Sequence, residues 1–197
     1  MPHYCINCGA QLVPREIEGR LLEACPNDDF VLWRDPKVAT AVVVQTEGGI
    51  LLGRRAIEPA YGEWCLPGGF VNDDESPLEA AMRECREEIG AQVDVIDLIG
   101  VYHIPKQGAS SLIGVAYRGR LAGGEVPSAG AEMLEIRVFP PDALPPLAFP
   151  SHRQIVSEFL KSQASREAGV SRIDGGEAPH ASPPSPATAR SPRTRTP

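Results

Sequence analysis

Hydrophobic and polar positions change period along this chain, and the changes mark its elements. Val38-Ala39-Thr40-Ala41-Val42-Val43-Val44 is a β-branched apolar run that predicts a buried strand. Glu47-Gly48-Gly49 then turns the chain into a second apolar strand, Ile50 to Leu52. Further strands are predicted at Val93 to Ile99, Ser111 to Tyr117 and Glu135 to Phe139. Two segments carry helical periodicity. One runs from Pro77 to Ile89; the other runs from a Ser151 cap to about Lys161, with Ile155, Val156, Phe159 and Leu160 as its apolar side. Strands interspersed with a few helices predict an α/β or α+β layered domain.

The first helix is signalled at both ends. Ser76 stands at the N-cap, Pro77 at the first helical position, Glu79 three residues after the cap as a capping box, and Gly90 just past the end. At about 100° per residue, Leu78, Ala81, Met82, Cys85 and Ile89 are expected on the core side. Glu84, Glu87 and Glu88 are expected together on the other side, where three like charges at these spacings favour a cation. Arg83 and Arg86 are their neighbours, so a merely solvated acidic face is the alternative. Ahead of the helix, Trp64-Cys65-Leu66-Pro67 reads as a strand that runs into Gly68-Gly69. A glycine turn feeding a capped acidic helix has the make-up of a site.

Composition divides the chain into three zones: residues 1–35, 36–163 and 164–197. The first holds Cys5, Cys8 and Cys25 in a loop-rich stretch too poor in apolar residues to fold by burial alone. The last becomes Pro, Ser, Thr, Ala and Arg from Ala178 onward and reads as a disordered tail. Its Arg190, Arg193 and Arg195 leave 16 Lys and Arg against 26 Asp and Glu in residues 1–177. The formal net charge of −7 argues against nucleic acid as a partner. An acidic site acting on a phosphorylated substrate would need a metal ion between them. The N-terminus shows no basic region followed by an apolar stretch, and no segment suits a membrane span, so a soluble cytoplasmic protein is expected. Cys5-x2-Cys8, followed after sixteen residues by Cys25-x2-Asp28, has zinc-ribbon spacing with Asp28 where a fourth cysteine would stand. Zinc accepts a carboxylate oxygen, and His3 is a spare donor nearby; a metal-free ribbon is the alternative. Cys65 and Cys85 are expected to be packed residues.

Gly69, five residues, Glu75, seven residues, Arg83-Glu84-Cys85-Arg86-Glu87-Glu88-Ile89-Gly90 and the small apolar Ala91 together resemble the box of the Nudix hydrolase superfamily. The resemblance implies an α/β/α sandwich and Mg²⁺ or Mn²⁺ on the box glutamates. It also implies hydrolysis of a nucleoside diphosphate linked to another group. Carried over residue by residue, it makes Glu84, Glu87 and Glu88 metal ligands and has Arg83 orient a glutamate, with Glu87 as the expected one. Gly69 then supplies the loop turn, and Glu75 a supporting carboxylate. The general base can, in this family, come from the box or from a separate loop; Glu132 and Glu135 are candidates by position, with an ordinary surface role as the alternative.

The ribbon followed by the box, joined through Asp35-Pro36-Lys37-Val38, resembles a subgroup with an N-terminal zinc ribbon. That subgroup includes NADH pyrophosphatases and FAD or ADP-ribose pyrophosphatases. Gly100-Val101-Tyr102-His103-Ile104-Pro105-Lys106 lacks the Ser-Gln-Pro-Trp-Pro-Phe-Pro type motif of the NADH-cleaving members, whereas Leu147-Ala148-Phe149-Pro150-Ser151 resembles the FAD or ADP-ribose type. The resemblance therefore implies cleavage of ADP-ribose, FAD or a similar nucleotide derivative to two monophosphates. The alternatives are an NADH or NAD-cap pyrophosphatase and a non-catalytic nucleotide-sensing regulator. Arg54, Arg55, Tyr102 and Phe149 are candidates for holding the rest of the substrate, with packing or solvation as the other reading. A homodimer is expected by analogy with the family.

Overall fold

The computed structural model describes residues 2–105 and 110–167. Lys106, at the end of the segment compared above, and the tail expected to be disordered beyond residue 167 lie outside the described residues.

Near the N-terminus, β1 (Val13–Ile17), β2 (Arg20–Ala24) and β3 (Val31–Leu32) form a three-stranded antiparallel sheet. The sequence predicts no strand here because β1 is exposed along nearly its whole length and so carries no apolar alternation. The core of this small unit is Cys5, Leu12 and Cys25, with Ala10, Phe30 and Leu32 packed against it.

The larger unit is built on a six-stranded mixed sheet. Its strands are β4 (Lys37–Thr46), β5 (Gly49–Arg55), β6 (Trp64–Cys65), β7 (Val93–Ile104), β8 (Leu112–Leu121) and β9 (Met133–Phe139). Their order is β6-β5-β4-β8-β7, with β9 also paired to β5. The β4 run lies at the centre, parallel to β8 from Lys37↔Leu112 to Gln45↔Arg120. Its alternation separates two cores. Ala41 and Val43 pack with Ile50, Leu52, Leu66, Ile155, Val156 and Phe159 under α2 (Pro150–Glu167). Val42 and Val44 pack with Leu51, Ala81, Cys85 and Ile89 under α1 (Pro77–Ile89). A strand buried on both faces must be apolar at every position, which is why β4 reads as a continuous run. The architecture is an α/β/α sandwich, as expected.

Four strands outrun their predicted ends: β4 reaches Thr46, β5 Arg55, β8 Leu121 and β7 Ile104. β7 continues to Ile104, past the predicted Ile99, and its pairing with β8 slips between Val95 and Asp97 and between Leu98 and Gly100. Each irregularity resets which side chains face inward, so the period-2 signal fades before the strand does. The second helix starts at Pro150, so Ser151 lies inside its first turn and does not cap it. It also extends beyond Lys161 to Glu167, so residues 164–167, expected at the start of the disordered tail, are helical. Ser162 and Ser165 donate back to the carbonyls of Phe159 and Lys161, along a polar, exposed stretch that carries no apolar stripe for the sequence to show. Among the described residues no helix is long and apolar enough to cross a membrane.

Candidate active site

The chain approaches the site through residues 64–71, which wedge between β5 and β4. Trp64 and Cys65 pair with Arg54 and Gly53 of β5. The chain then crosses to β4, where Val42 N–H donates to Pro67 O (2.8 Å), Thr40 N–H to Gly69 O (2.7 Å), and Val71 N–H to Val38 O (3.0 Å). The two glycines let this crossing pass close to its neighbours. Gly68 has φ +147°, and a Cβ there would fall 2.2 Å from Thr40 O; a Cβ on Gly69 would fall 2.4 Å from Glu84 Oε1. The backbone of the loop thus lies directly against a carboxylate of α1.

α1 begins and ends where the sequence places it. Glu79 N–H donates to Ser76 Oγ (3.3 Å), Ser76 N–H donates to Glu79 Oε2 (2.8 Å), and Gly90 adopts the left-handed conformation at φ 60°. Its orientation differs from the expected one. Leu78 is exposed, and Glu88 is buried at 4% exposure among Ala80, Ala81, Cys85 and Ile89. The three glutamates therefore do not share one outer face. Seven residues after Ala81 and three after Cys85, Glu88 comes round to the core side of the helix wheel.

Glu88 Oε2 accepts the Gly68 N–H at 2.8 Å. Burial first, and then the charges of Glu84 and Glu132, raise its pKa to about 8 against the opposing pull of the Gly68 N–H and Arg55. Glu84 is also shifted upward, first by burial and then by Glu87 and Glu132, against the pull of Arg83. A cluster of carboxylates this hard to ionise has too little positive charge around it. The guanidinium that could supply charge is already committed. Arg83 Nε and Nη2 donate to Glu75 (3.0 and 2.6 Å), Nη1 to Glu84 (2.8 Å) and Glu87 (3.2 Å), and Nη2 also to Phe70 O (3.0 Å). Its two-pronged partner is thus Glu75, while the expected partner Glu87 takes the longest of these contacts. That fork holds the Glu75 carboxyl well below the usual range, at about 2.

The two candidate bases separate. Glu132 acts on both Glu84 and Glu88 through its charge. It follows a loop that covers the end of α1, where Ser128 N–H donates to Ile89 O and Gly130 N–H to Glu88 O, each at 2.9 Å. Glu135 instead pairs with Arg54 (3.3 Å) and Arg137 (3.2 Å). Sequence reasoning missed the 128–130 cover, which carries no periodic signal. It also missed His152, described below.

The family model of the NUDIX domain matches residues 35–159. A curated ADP-ribose pyrophosphatase of Methanocaldococcus jannaschii is 34% identical over 133 residues, covering 67% of this chain and 78% of that one. This chain belongs to the Nudix hydrolase family. It is an enzyme, and the family's reaction is hydrolysis of the pyrophosphate bond in nucleotide derivatives. A NAD-capped RNA hydrolase NudC of Pseudomonas aeruginosa is 28% identical over 168 residues, which is 85% of this chain but only 57% of that one. Among solved structures, a NUDIX hydrolase from Nitrosomonas europaea superposes with a TM-score of 0.72 at 29% identity, covering 84% of this chain and 93% of its own.

In this Nudix hydrolase a second donor cluster stands apart from the glutamates. The ligand atoms of Cys5, Cys8, Cys25 and Asp28 all lie within 4.8 Å of one another. Cys8 Sγ and Cys25 Sγ are 3.4 Å apart, and Cys5 Sγ is 3.3 Å from Asp28 Oδ2. Burial pushes the Cys25 thiol up to about 12, whereas the Phe30 N–H lowers Asp28. Cys65 and Cys85 are buried beneath the glutamate site, and burial shifts both thiols upward.

The contact between Gly69 and Glu84 yields a direct prediction for this Nudix hydrolase. Gly69→Ala forces the Glu84 carboxylate to move, so kcat should fall by about ten- to a hundredfold. The melting temperature should stay within a few degrees, because the displaced group reaches solvent. A variant with wild-type kcat would show that the position of Glu84 does not matter.

Proposed function

We propose that this chain hydrolyses the pyrophosphate bond of a nucleoside diphosphate derivative such as ADP-ribose or FAD, releasing two monophosphates, with Mg²⁺ or Mn²⁺ held by Glu84, Glu87 and Glu88. The observation that carries this reading is the buried carboxylate of Glu88, set beside Glu84 under the glycine loop while Arg83 is occupied by Glu75. An all-oxygen anionic donor set suits a hard divalent cation that keeps part of its water shell. When bound, such an ion neutralises charge on the phosphates and acidifies a coordinated water. Arg83 fixes Glu84 and Glu75 relative to the loop, and Gly68 N–H fixes Glu88. Of the two base candidates, Glu132 suits the part, because its charge already acts on Glu84 and Glu88 and its carboxylate is exposed to the solvent from which the attacking water comes. Its carboxylate oxygen would take that water's proton. Glu135 is held away by Arg54 and Arg137 and is not assigned a step.

ADP-ribose is favoured over other nucleotides by the Methanocaldococcus relative and by the Leu147–Ser151 segment. A NAD-capped RNA is the second reading. What favours it is that the similarity to the Pseudomonas enzyme covers more of the chain than the NUDIX domain alone can supply. Assay of the full chain against ADP-ribose, FAD, NADH, a NAD-capped RNA and nucleoside triphosphates, with Mg²⁺ or Mn²⁺, separates these readings. The expected result is preferential turnover of ADP-ribose or FAD. Turnover of the capped RNA alone would select the second reading, and turnover of none would favour a nucleotide-sensing regulator.

The N-terminal cluster is proposed to hold a structural zinc ion on Cys5, Cys8, Cys25 and Asp28. Three sulfurs and one carboxylate at this separation match a four-coordinate site, and a unit with so small an apolar core needs a staple. Elemental analysis of protein purified without chelator should find about one zinc per chain, and Asp28→Cys should retain it more firmly against chelator. Protein that is zinc-free as isolated would rule out this assignment.

A further inference from the structure

The Leu147–Ser151 segment, distinctive in sequence, docks on the strand that leads to the glutamates. Leu147 bridges Trp64, Ala148 N–H donates to Trp64 O (2.8 Å), and Arg153 closes the turn by donating to Leu147 O. The Phe149 ring carries the Arg55 guanidinium on one side, 5.1 Å from its centroid, and meets the His152 ring edge-on, also at 5.1 Å. His152 then makes the contact that matters: its Nδ1 accepts the Leu66 N–H at 3.1 Å, across 86 residues of sequence.

Leu66 is 1% exposed, so that N–H has no access to water. Pro67, the next residue, has no N–H of its own. The next donor along the chain is Gly68 N–H, which holds Glu88. The imidazole is suited to accepting. Burial lowers its pKa to about 4, aided by the charge of Arg55, so it stays neutral with a lone pair on Nδ1 and the proton on Nε2.

We propose that His152 is a positioning residue of the hydrolase site: by accepting the Leu66 N–H, it fixes the backbone of Leu66–Gly68 and so aims the Gly68 N–H at Glu88. The first turn of α2 thereby sets the geometry of a carboxylate on α1, with Phe149 and Arg55 completing the brace. This inference rests on the hydrolase reading above for its kinetic consequence, but not for its structural one.

Two substitutions separate positioning from mere packing. Asn places an Oδ1 acceptor on the same branch as Nδ1, whereas Phe keeps the ring and its contact with Phe149 but offers no acceptor. His152→Phe should lower kcat by about ten- to a hundredfold while leaving the nucleotide KM within about twofold. His152→Asn should stay within about threefold of wild type. Mn²⁺ affinity, titrated by electron paramagnetic resonance with no nucleotide present, should weaken in the same order. If His152→Phe does not fold, His152→Leu takes its place with the same two readouts. The proposal is overturned if the variant without an acceptor matches wild type in kcat and Mn²⁺ affinity, or if the Asn variant is as impaired as the Phe variant. Should wild type hydrolyse none of the nucleotides, the hydrolase reading fails, and the Mn²⁺ titration alone decides the role of His152.

Discussion

Glu88→Gln should lower kcat by about a thousandfold, some 4 kcal/mol of transition-state stabilisation, while leaving the metal-free protein at least as stable as wild type. Both effects come from one arrangement. Glu88 is 4% exposed, its one side-chain hydrogen bond among the described residues comes from Gly68, and its charged neighbours Glu84 and Glu132 repel it. Gln fills the same space and still accepts the Gly68 N–H through its carbonyl oxygen, so the loop stays in place. What disappears is the negative charge, which disfavours folding when no cation is bound and is needed once one is. A site that costs stability in order to act is the expected trade-off. Steady-state kinetics beside thermal unfolding in chelator would test this. Near-normal turnover by Glu88→Gln would remove Glu88 from the metal site, and a large drop in melting temperature would show that its charge stabilises the fold.

The stability of the metal-free protein should fall as pH rises from about 6.5 to about 8, whereas between about 4.5 and 6.5 the buried, neutral His152 opposes the slope that Glu88 gives. The sign follows from the direction of the shift. Below about 4.5, Glu88 is protonated in both the folded and the unfolded chain and makes no difference. Between about 4.5 and about 8 the unfolded chain has released a Glu88 proton that the folded one still holds, so for this group raising the pH favours unfolding. Above about 8 the carboxylate is ionised in both states, and the penalty is complete, on the order of a few kcal/mol at most. Glu75 does not compensate within this window. Arg83 holds it at about 2, so the stability it contributes is lost only as pH falls below the ordinary carboxylate range toward that value. In melting curves in chelator at pH 5, 7 and 9, wild type should lose stability relative to Glu88→Gln as pH rises, because the opposing slope from His152 is common to both proteins. Saturating Mn²⁺ should restore most of the difference, because an ion that binds only the folded state stabilises it. Parallel slopes for the two proteins would exclude Glu88 as the source.

Much of the fold and part of the candidate site could be read from the sequence. The limits of α1 are signalled by Ser76, Pro77, Glu79 and Gly90 because caps act over three or four residues, and the folded helix uses each of them. The central strand β4 declares itself because burial on both faces leaves it apolar from Ala41 to Val44, with only Thr40 polar among its buried positions. The glycine loop, the box glutamates and the cysteine spacing are likewise local patterns, legible without coordinates.

Only the tertiary structure decided how these parts face one another. The pairing of Arg83 with Glu75, the separation of Glu132 from Glu135, and the brace from His152 to Leu66 all join residues whose spacing carries no helical or strand period. Burial of Glu88 is the instructive case. Its place on the wheel, seven residues after Ala81, was available in the sequence, but a carboxylate is ordinarily read as an outward position. The sheet beneath α1 and the Gly68 N–H above it are what make an inward one tolerable. Local sequence specifies an element because its signals travel a few residues along the backbone. The charge state of a site depends on which distant groups exclude water from it, and that is fixed only when the chain closes on itself.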